Sequence, residues 1–305
     1  MRTTFVKTLE AIAAKDQNIM LLTGDLGFTV LENFRDTYPK QYLNAGVAEQ
    51  NMIGVAAGLA LCGKRVFVYS IIPFVTFRCL EQIRNDLCYH RLPVCIVGVG
   101  AGYSYGHQGA THHAMEDISI MRSLSGMTVV CPGDPVETEC AVRTIATHDG
   151  PCYLRLGKAG EPRLHTSVPD FHLGKAILMQ EGTEATLIAT STMLETAVKV
   201  TKILAEKGML IRLLSMPTVK PIDTDAIRAA AIDTPFLVTL EEHSPIGGLG
   251  SAVAEVLSVH DIRTRHLLIS GPSMFTDTIG STAFLRRQAG LDEESVREKI
   301  LHFKK

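Results

Sequence analysis

The chain has 305 residues, 46% of them hydrophobic and 20% charged, and a net charge of −2. That length holds about two domains, each large enough for its own core, and so small a charge offers no electrostatic attraction to nucleic acid or to an anionic membrane. Seven cysteines, odd in number and without a CxxC pair, argue against a disulfide framework or a zinc site and read as packed thiols of a cytoplasmic protein.

No stretch approaches the roughly 18 apolar residues of a membrane span. Residues 3–14 carry Phe5, Leu9, Ile12 and Ala13 on one face of a helix, and no signal-peptide core precedes them. Residues 19–23 read as a short buried strand ending at Gly24-Asp25-Leu26-Gly27, a place where open α/β sheets gather ligands. A helix near 30–37 and a strand at Tyr42-Leu43 lead to the stretch from Asn44 to Cys62, around which the rest is organised. It opens as a loop at Asn44 and Gly46, then runs as a helix of Ala and Gly, where Gly54 and Gly58 predict close packing. One carboxylate, Glu49, enters near the start of that apolar helix. It needs either a partner or a solvated first-turn position favoured by the helix dipole.

Residues 65–70 form the next strand and 74–89 a single helix. Residues 93–99 are almost continuously apolar, as in a strand covered on both faces, and the glycine-rich loop from Gly100 to His113 follows. A strand at 127–131, a helix over 135–148 and a strand at 152–156 complete a first α/β unit. Residues 157–172 are polar, contain proline and read as a linker. Strands at 173–179, 185–190, 210–214, 236–240 and 264–269 then alternate with helices at 194–207, 224–231, up to 259, and 293–302. The pattern predicts two doubly wound α/β domains, 1–165 and 166–305, and by itself says nothing of chemistry.

The run from Gly46 to Leu61, with Val47-Ala48-Glu49-Gln50 at its head, resembles the glutamate-bearing helix of the transketolase and deoxyxylulose-phosphate synthase families. The resemblance implies that Glu49 binds the pyrimidine of thiamine diphosphate and drives its acid–base activation. Four further pieces fit in order. Phe74, Arg78 and Glu81–Asn85 are similar to the segment whose aromatic ring stacks on the aminopyrimidine, with Phe77 as the other candidate ring. Gly109-Ala-Thr-His112-His113 resembles Gly-x-Thr-His-Gln, whose histidine contacts the substrate. Arg2, Asp25 and Thr29 match an N-terminal region where Asp25 attends the cofactor and Arg2 and Thr29 reach the substrate phosphate. Arg155 and Lys158 match a basic, phosphate-binding strand end, Lys158 falling nearest. A zinc reading of His107, His112 and His113 is weak, because adjacent histidines point apart, and Gly98-x-Gly100-x-Gly102 does not fit a dinucleotide fingerprint.

Two positions depart from the family. Gln108 stands where transketolases carry an acid, and Gly100 where they carry a phosphate-contacting histidine. An altered substrate is implied, with open space at position 100. The Gly-Asp-Gly…Asn motif that chelates Mg²⁺ and diphosphate is missing, since neither Gly24-Asp25 nor Gly133-Asp134 is followed by glycine. The resemblance therefore implies the C-terminal subunit of a split transketolase. It would hold no metal itself and would work only with a separate N-terminal subunit carrying the diphosphate and Mg²⁺, in an α2β2 assembly acting on sugars or sugar phosphates. The β subunit of a 2-oxoacid dehydrogenase and a non-catalytic regulatory subunit are the alternatives.

Overall fold

The structure is a computed structural model describing residues 1–305. Its strands are β1 (Ile19–Thr23), β2 (Tyr42–Asn44), β3 (Arg65–Ile71), β4 (Val94–Val99), β5 (Thr128–Val130), β6 (Cys152–Leu156), β7 (Ile177–Gln180), β8 (Ala185–Ala189), β9 (Ile211–Ser215), β10 (Thr218–Lys220), β11 (Phe236–Leu240) and β12 (Arg265–Ile269). They form a seven-stranded sheet, β10-β5-β6-β4-β3-β1-β2, and a five-stranded sheet, β12-β11-β8-β9-β7. Each sheet is parallel except for one antiparallel edge strand, β10 in the first and β7 in the second.

Helices α1 (Arg2–Ala13), α2 (Glu32–Thr37) and α3 (Glu49–Leu61) flank the first sheet. Strand residues alternate between the two faces. Leu21 and Phe67 join Phe5 and Leu9 of α1 in one core, while Leu22 and Val68 join Met52, Ile53 and Ala56 of α3 in the other. Each such fully buried Leu or Ile side chain is worth about 1.5–3 kcal/mol. With helices on both faces, every residue of β1 and β4 is buried, which is why these strands lack polar alternation.

Residues 74–89 do not form one helix. A short α4 (Ile72–Val75) starts one residue before Pro73, which is tolerated only in a first turn. Thr76 Oγ1 donates to the Ile72 carbonyl at 2.7 Å as that turn closes. The chain re-enters as α5 (Leu80–Gln82) and widens into a π-helical turn over Ile83–Cys88. The interruption leaves Phe74 and Arg78 on a turn beside Glu49.

The remaining helices are α6 (Asp117–Ser123), α7 (Pro135–Ile145), α8 (Met193–Ala205), α9 (Thr224–Asp233), α10 (Leu249–Val259), α11 (Thr282–Gln288) and α12 (Glu293–Lys304). Of these, α6, α11 and strand β10 have no counterpart in the periodicity of the sequence. β10 pairs Thr218 with Val130, so the second half of the chain contributes an edge strand to the first sheet. A buried polar knot fastens the halves further. Asp134 caps α7 by accepting from Glu137 N–H and also accepts from Leu164 and His165 N–H. Glu137 in turn accepts from Ser215 Oγ at 2.6 Å.

Candidate active site

Helix α3 begins at Glu49 itself, and the side chain is 2% exposed. The solvated first-turn position is therefore not the one adopted. Gly24, just past the end of β1, lies beside it: a Cβ there would meet Glu49 Cγ at an ordinary contact distance of 3.5 Å. The partner the carboxylate needs is Arg78, whose Nη1 donates to Glu49 Oε2 at 2.7 Å from a side chain still 45% exposed. The same guanidinium lies 4.8 Å over the Phe74 ring. Phe74 in turn meets His112 edge-on, with centroids 5.1 Å apart, and His112 lies 6.2 Å from the Tyr105 ring. Phe77 makes none of these contacts. Residues far apart in sequence thus form one contact run, Glu49–Arg78–Phe74–His112–Tyr105, at the carboxyl ends of parallel strands.

Burial lowers the His112 pKa, so its imidazole is neutral at neutral pH, and Thr111 Oγ1 lies 3.0 Å from Nδ1. His113 turns the other way, edge-on to Tyr103 at 5.1 Å, with Nε2 buried and unpartnered. No group of three His, Cys, Asp or Glu side chains converges as a metal site.

Beyond His112 the run opens into a polar cleft of about 620 Å³ between the two halves, lined among others by Tyr105, Gln108, Lys158 and Arg286. The Lys158 ammonium lies over the Tyr105 ring, 5.0 Å from its centroid. Arg2, its Nε buried without a hydrogen-bond partner, lies against the phenols of Tyr69 and Tyr105. Burial raises both phenol pKa values, and the Arg2 charge opposes the rise. Asp25 and Thr29 stand on the adjoining β1 loop, both with positive φ. Asp25 exchanges two hydrogen bonds with the Asn44 side chain, at 3.0 and 2.9 Å, and Thr29 N–H donates to Glu32.

Three expectations need correction. Arg155 cannot meet a substrate. It is fully buried, Nε and Nη2 donate to Asp117, Nη2 also to the Ala114 and Glu242 carbonyls, and Nη1 to Ser191. This β6 side chain, one residue before the strand end, points into the joint between the halves, and a buried guanidinium must spend its donors there. Gly100 does not open space either. With φ +97°, its missing side chain is replaced by the ring of Tyr105, whose Cδ2 and Cε2 fill the place a Cβ would need. Gly54 and Gly58 pack against nothing within the chain and face outward. Tyr105 is the residue that sequence reasoning missed. Its only signal was a bulky aromatic in the same glycine-rich loop as the absent histidine.

Fold and site together define the pyrimidine-binding half of a thiamine-diphosphate-dependent enzyme. Residues 1–160 match the family model described as "Transketolase, pyrimidine binding domain", and residues 174–296 that described as "Transketolase, C-terminal domain". The chain is 37% identical to one subunit of the apulose-4-phosphate transketolase of Phocaeicola vulgatus, over 100% of its own length and 97% of the relative's. It is 38% identical to a 6-deoxy-6-sulfo-D-fructose transketolase subunit of a Clostridium species, over 97% and 92%. A solved structure described as a split gene transketolase, inactive beta4 tetramer, superposes with a TM-score of 0.90 at 34% identity, covering 99% of this chain and 97% of that one. The chain belongs to the transketolase family, as the C-terminal subunit of a two-chain transferase.

Proposed function

We propose that this chain supplies the acid–base and substrate-facing half of a ketol-transfer site, and that a separate N-terminal subunit holds the diphosphate and Mg²⁺. The observation that carries this reading is the contact run from Glu49 through Arg78 and Phe74 to His112. A buried carboxylate beside a half-buried flat ring suits an aminopyrimidine: Glu49 shares a proton with a ring nitrogen, and Phe74 offers a face to the heterocycle. Arg78, half exposed, balances the Glu49 charge until the cofactor docks, and Asp25 clamps the neighbouring loop through Asn44. When bound, thiamine diphosphate supplies the carbon that takes up and hands on the two-carbon unit. His112, neutral, donates to the substrate oxygen on which negative charge develops, a contribution of about 2–4 kcal/mol by analogy with oxyanion-hole donors.

Arg2, Thr29, Gln108 and Lys158 face the far end of the sugar. The names of two relatives specify a 4-phosphate and a 6-sulfo sugar; both groups are tetrahedral oxyanions, and two cations suit such a terminus. Gln108, neutral where transketolases carry an acid, favours a donor or acceptor differing from the usual pentose phosphates in head group or branching. Phe28, Val47 and Leu61, exposed at 72%, 75% and 67%, and the open Gly54–Gly58 face of α3 are apolar sites available to subunit partners in an α2β2 assembly. Residues 1–165 and 166–305 are its two functional domains, and seven free thiols suit a cytoplasmic setting. Purified chain with thiamine diphosphate and Mg²⁺ should be inactive and should transfer ketol units once the N-terminal subunit is added. Full activity of the chain alone overturns the reading.

A further inference from the structure

The Tyr105 phenol ends the contact run from Glu49 and meets two cations, Arg2 and Lys158, that the run does not include. Its ring occupies the place of a side chain at position 100, at the carboxyl end of central strand β4. Lys158 caps one face of the ring and His112 approaches it edge-on. Arg2 lies at the phenol with its Nε unpartnered. None of the ion pairs of the chain includes Arg2 or Lys158, so one unpaired cation lies at the hydroxyl and a second over the ring, where Tyr105 and Lys158 line the interdomain cleft. Burial keeps that hydroxyl protonated, and so a donor, at neutral pH.

We propose that Tyr105 is a specificity-determining residue whose hydroxyl donates to the terminal oxyanion of the sugar, in concert with Arg2 and Lys158, at the place left by the glycine at position 100. The proposal rests on the ketol-transfer reading of the same site. A tetrahedral anion offers three oxygens, and a phenol with Arg2 at its hydroxyl and Lys158 over its ring adds a neutral directional donor to the two cations. The chemistry is common to phosphate esters and sulfonates.

The test uses the complete complex with thiamine diphosphate and Mg²⁺. Tyr105→Phe keeps the ring against Gly100 and under Lys158 and deletes only the hydroxyl. With one ketose donor, KM should rise about 10- to 100-fold for an aldose phosphate, the loss of one hydrogen bond to a charged group. The kcat should hold within about twofold, and both constants should stay unchanged for the same aldose without phosphate. A sulfonated sugar forms a further arm, and a loss on either anion upholds the proposal while naming the anion. Unchanged KM on both anions, or equal losses on charged and uncharged acceptors, overturns it. If the wild-type complex transfers no ketol unit to any acceptor, the transketolase reading fails instead. Inorganic phosphate titrated into the complex, followed by phosphorus NMR, then decides for Tyr105: weakened binding in Tyr105→Phe upholds the role, and equal binding refutes it.

Discussion

Replacing Glu49 with Gln separates chemistry from architecture at this site. The amide is nearly isosteric, so it still fits beneath Gly24, where a Cβ would lie 3.5 Å from Glu49 Cγ, and its carbonyl still accepts from Arg78. What is lost is the charge of a side chain 2% exposed and its proton affinity. Arg78 is 45% exposed and turns to solvent at little cost, so the ion pair is worth about 1 kcal/mol or less. Neutralising the buried group offsets part of even that, and the melting temperature should move by only a few degrees. Turnover should fall by about 10²–10⁴-fold, or about 2.7–5.4 kcal/mol of barrier, the scale of a positioned acid–base group. The assay is ketol transfer by the reconstituted two-chain complex, with thermal melting of the same preparation as the control. A rate within tenfold of wild type would refute the activating role, and a collapse in melting temperature would make Glu49 a structural residue first.

Arg155→Met should destabilise the chain by about 3–5 kcal/mol, because it strands the buried Asp117 carboxylate; denaturant unfolding checks this, and a near-normal midpoint would remove Arg155 from the interdomain joint. His112→Ala should lower kcat about 10²–10³-fold with cofactor affinity retained, while His113→Ala, facing Tyr103, should leave kcat nearly intact; equal losses in steady-state assays would contradict the divergence of the two rings. Burial pulls the His165 pKa down, but the hydrogen bond and charge of Glu137, 2.8 Å away, outweigh it and raise the folded value above 6.5. The stability that this pair contributes is therefore full below about pH 6.5 and lost as pH rises through the folded pKa. Melting temperature should decline over that window and decline less in His165→Asn; the same slope in both proteins would show that the pair does not titrate there.

The sheets were legible because their strands are short, apolar on both faces and punctuated by glycine, as in residues 19–23 and 94–99. Helix α3 and the acid at its head were legible from composition together with a family likeness. Three kinds of feature were not. β10 carries only three residues, and its pairing with Val130 lies outside any local periodicity. Pro73 fixes where α4 begins, and nothing in a hydrophobic count over 74–89 registers the break after Val75. Arg155 reads in sequence as a strand-end cation like Lys158. Only the packing of β6 against α6 and the Glu242 loop reveals that its donors are spent inside.

The Gly100–Tyr105 pair shows why a site cannot be carried over one position at a time. Read alone, a glycine in place of a histidine deletes a contact and leaves a hole. Yet a hole beside a half-buried aromatic would forfeit dispersion contacts on one side of its lining, and the chain closes it from five residues further along. A positive φ admits no ordinary side chain at position 100 without strain, so the turn that accepts glycine also turns Tyr105 inward. The deletion and its replacement are thus one structural event. Against the family pattern, it exchanges an imidazole at the first loop residue past β4 for a phenol five residues on, with Arg2 and Lys158 outside any ion pair beside it. The charge at the mouth of the cleft is kept while the geometry of its neutral donor changes. Under the reading proposed above, a substitution of that kind would retune which oxyanion-bearing sugar fits and leave the Glu49–Phe74 chemistry beneath it unaltered.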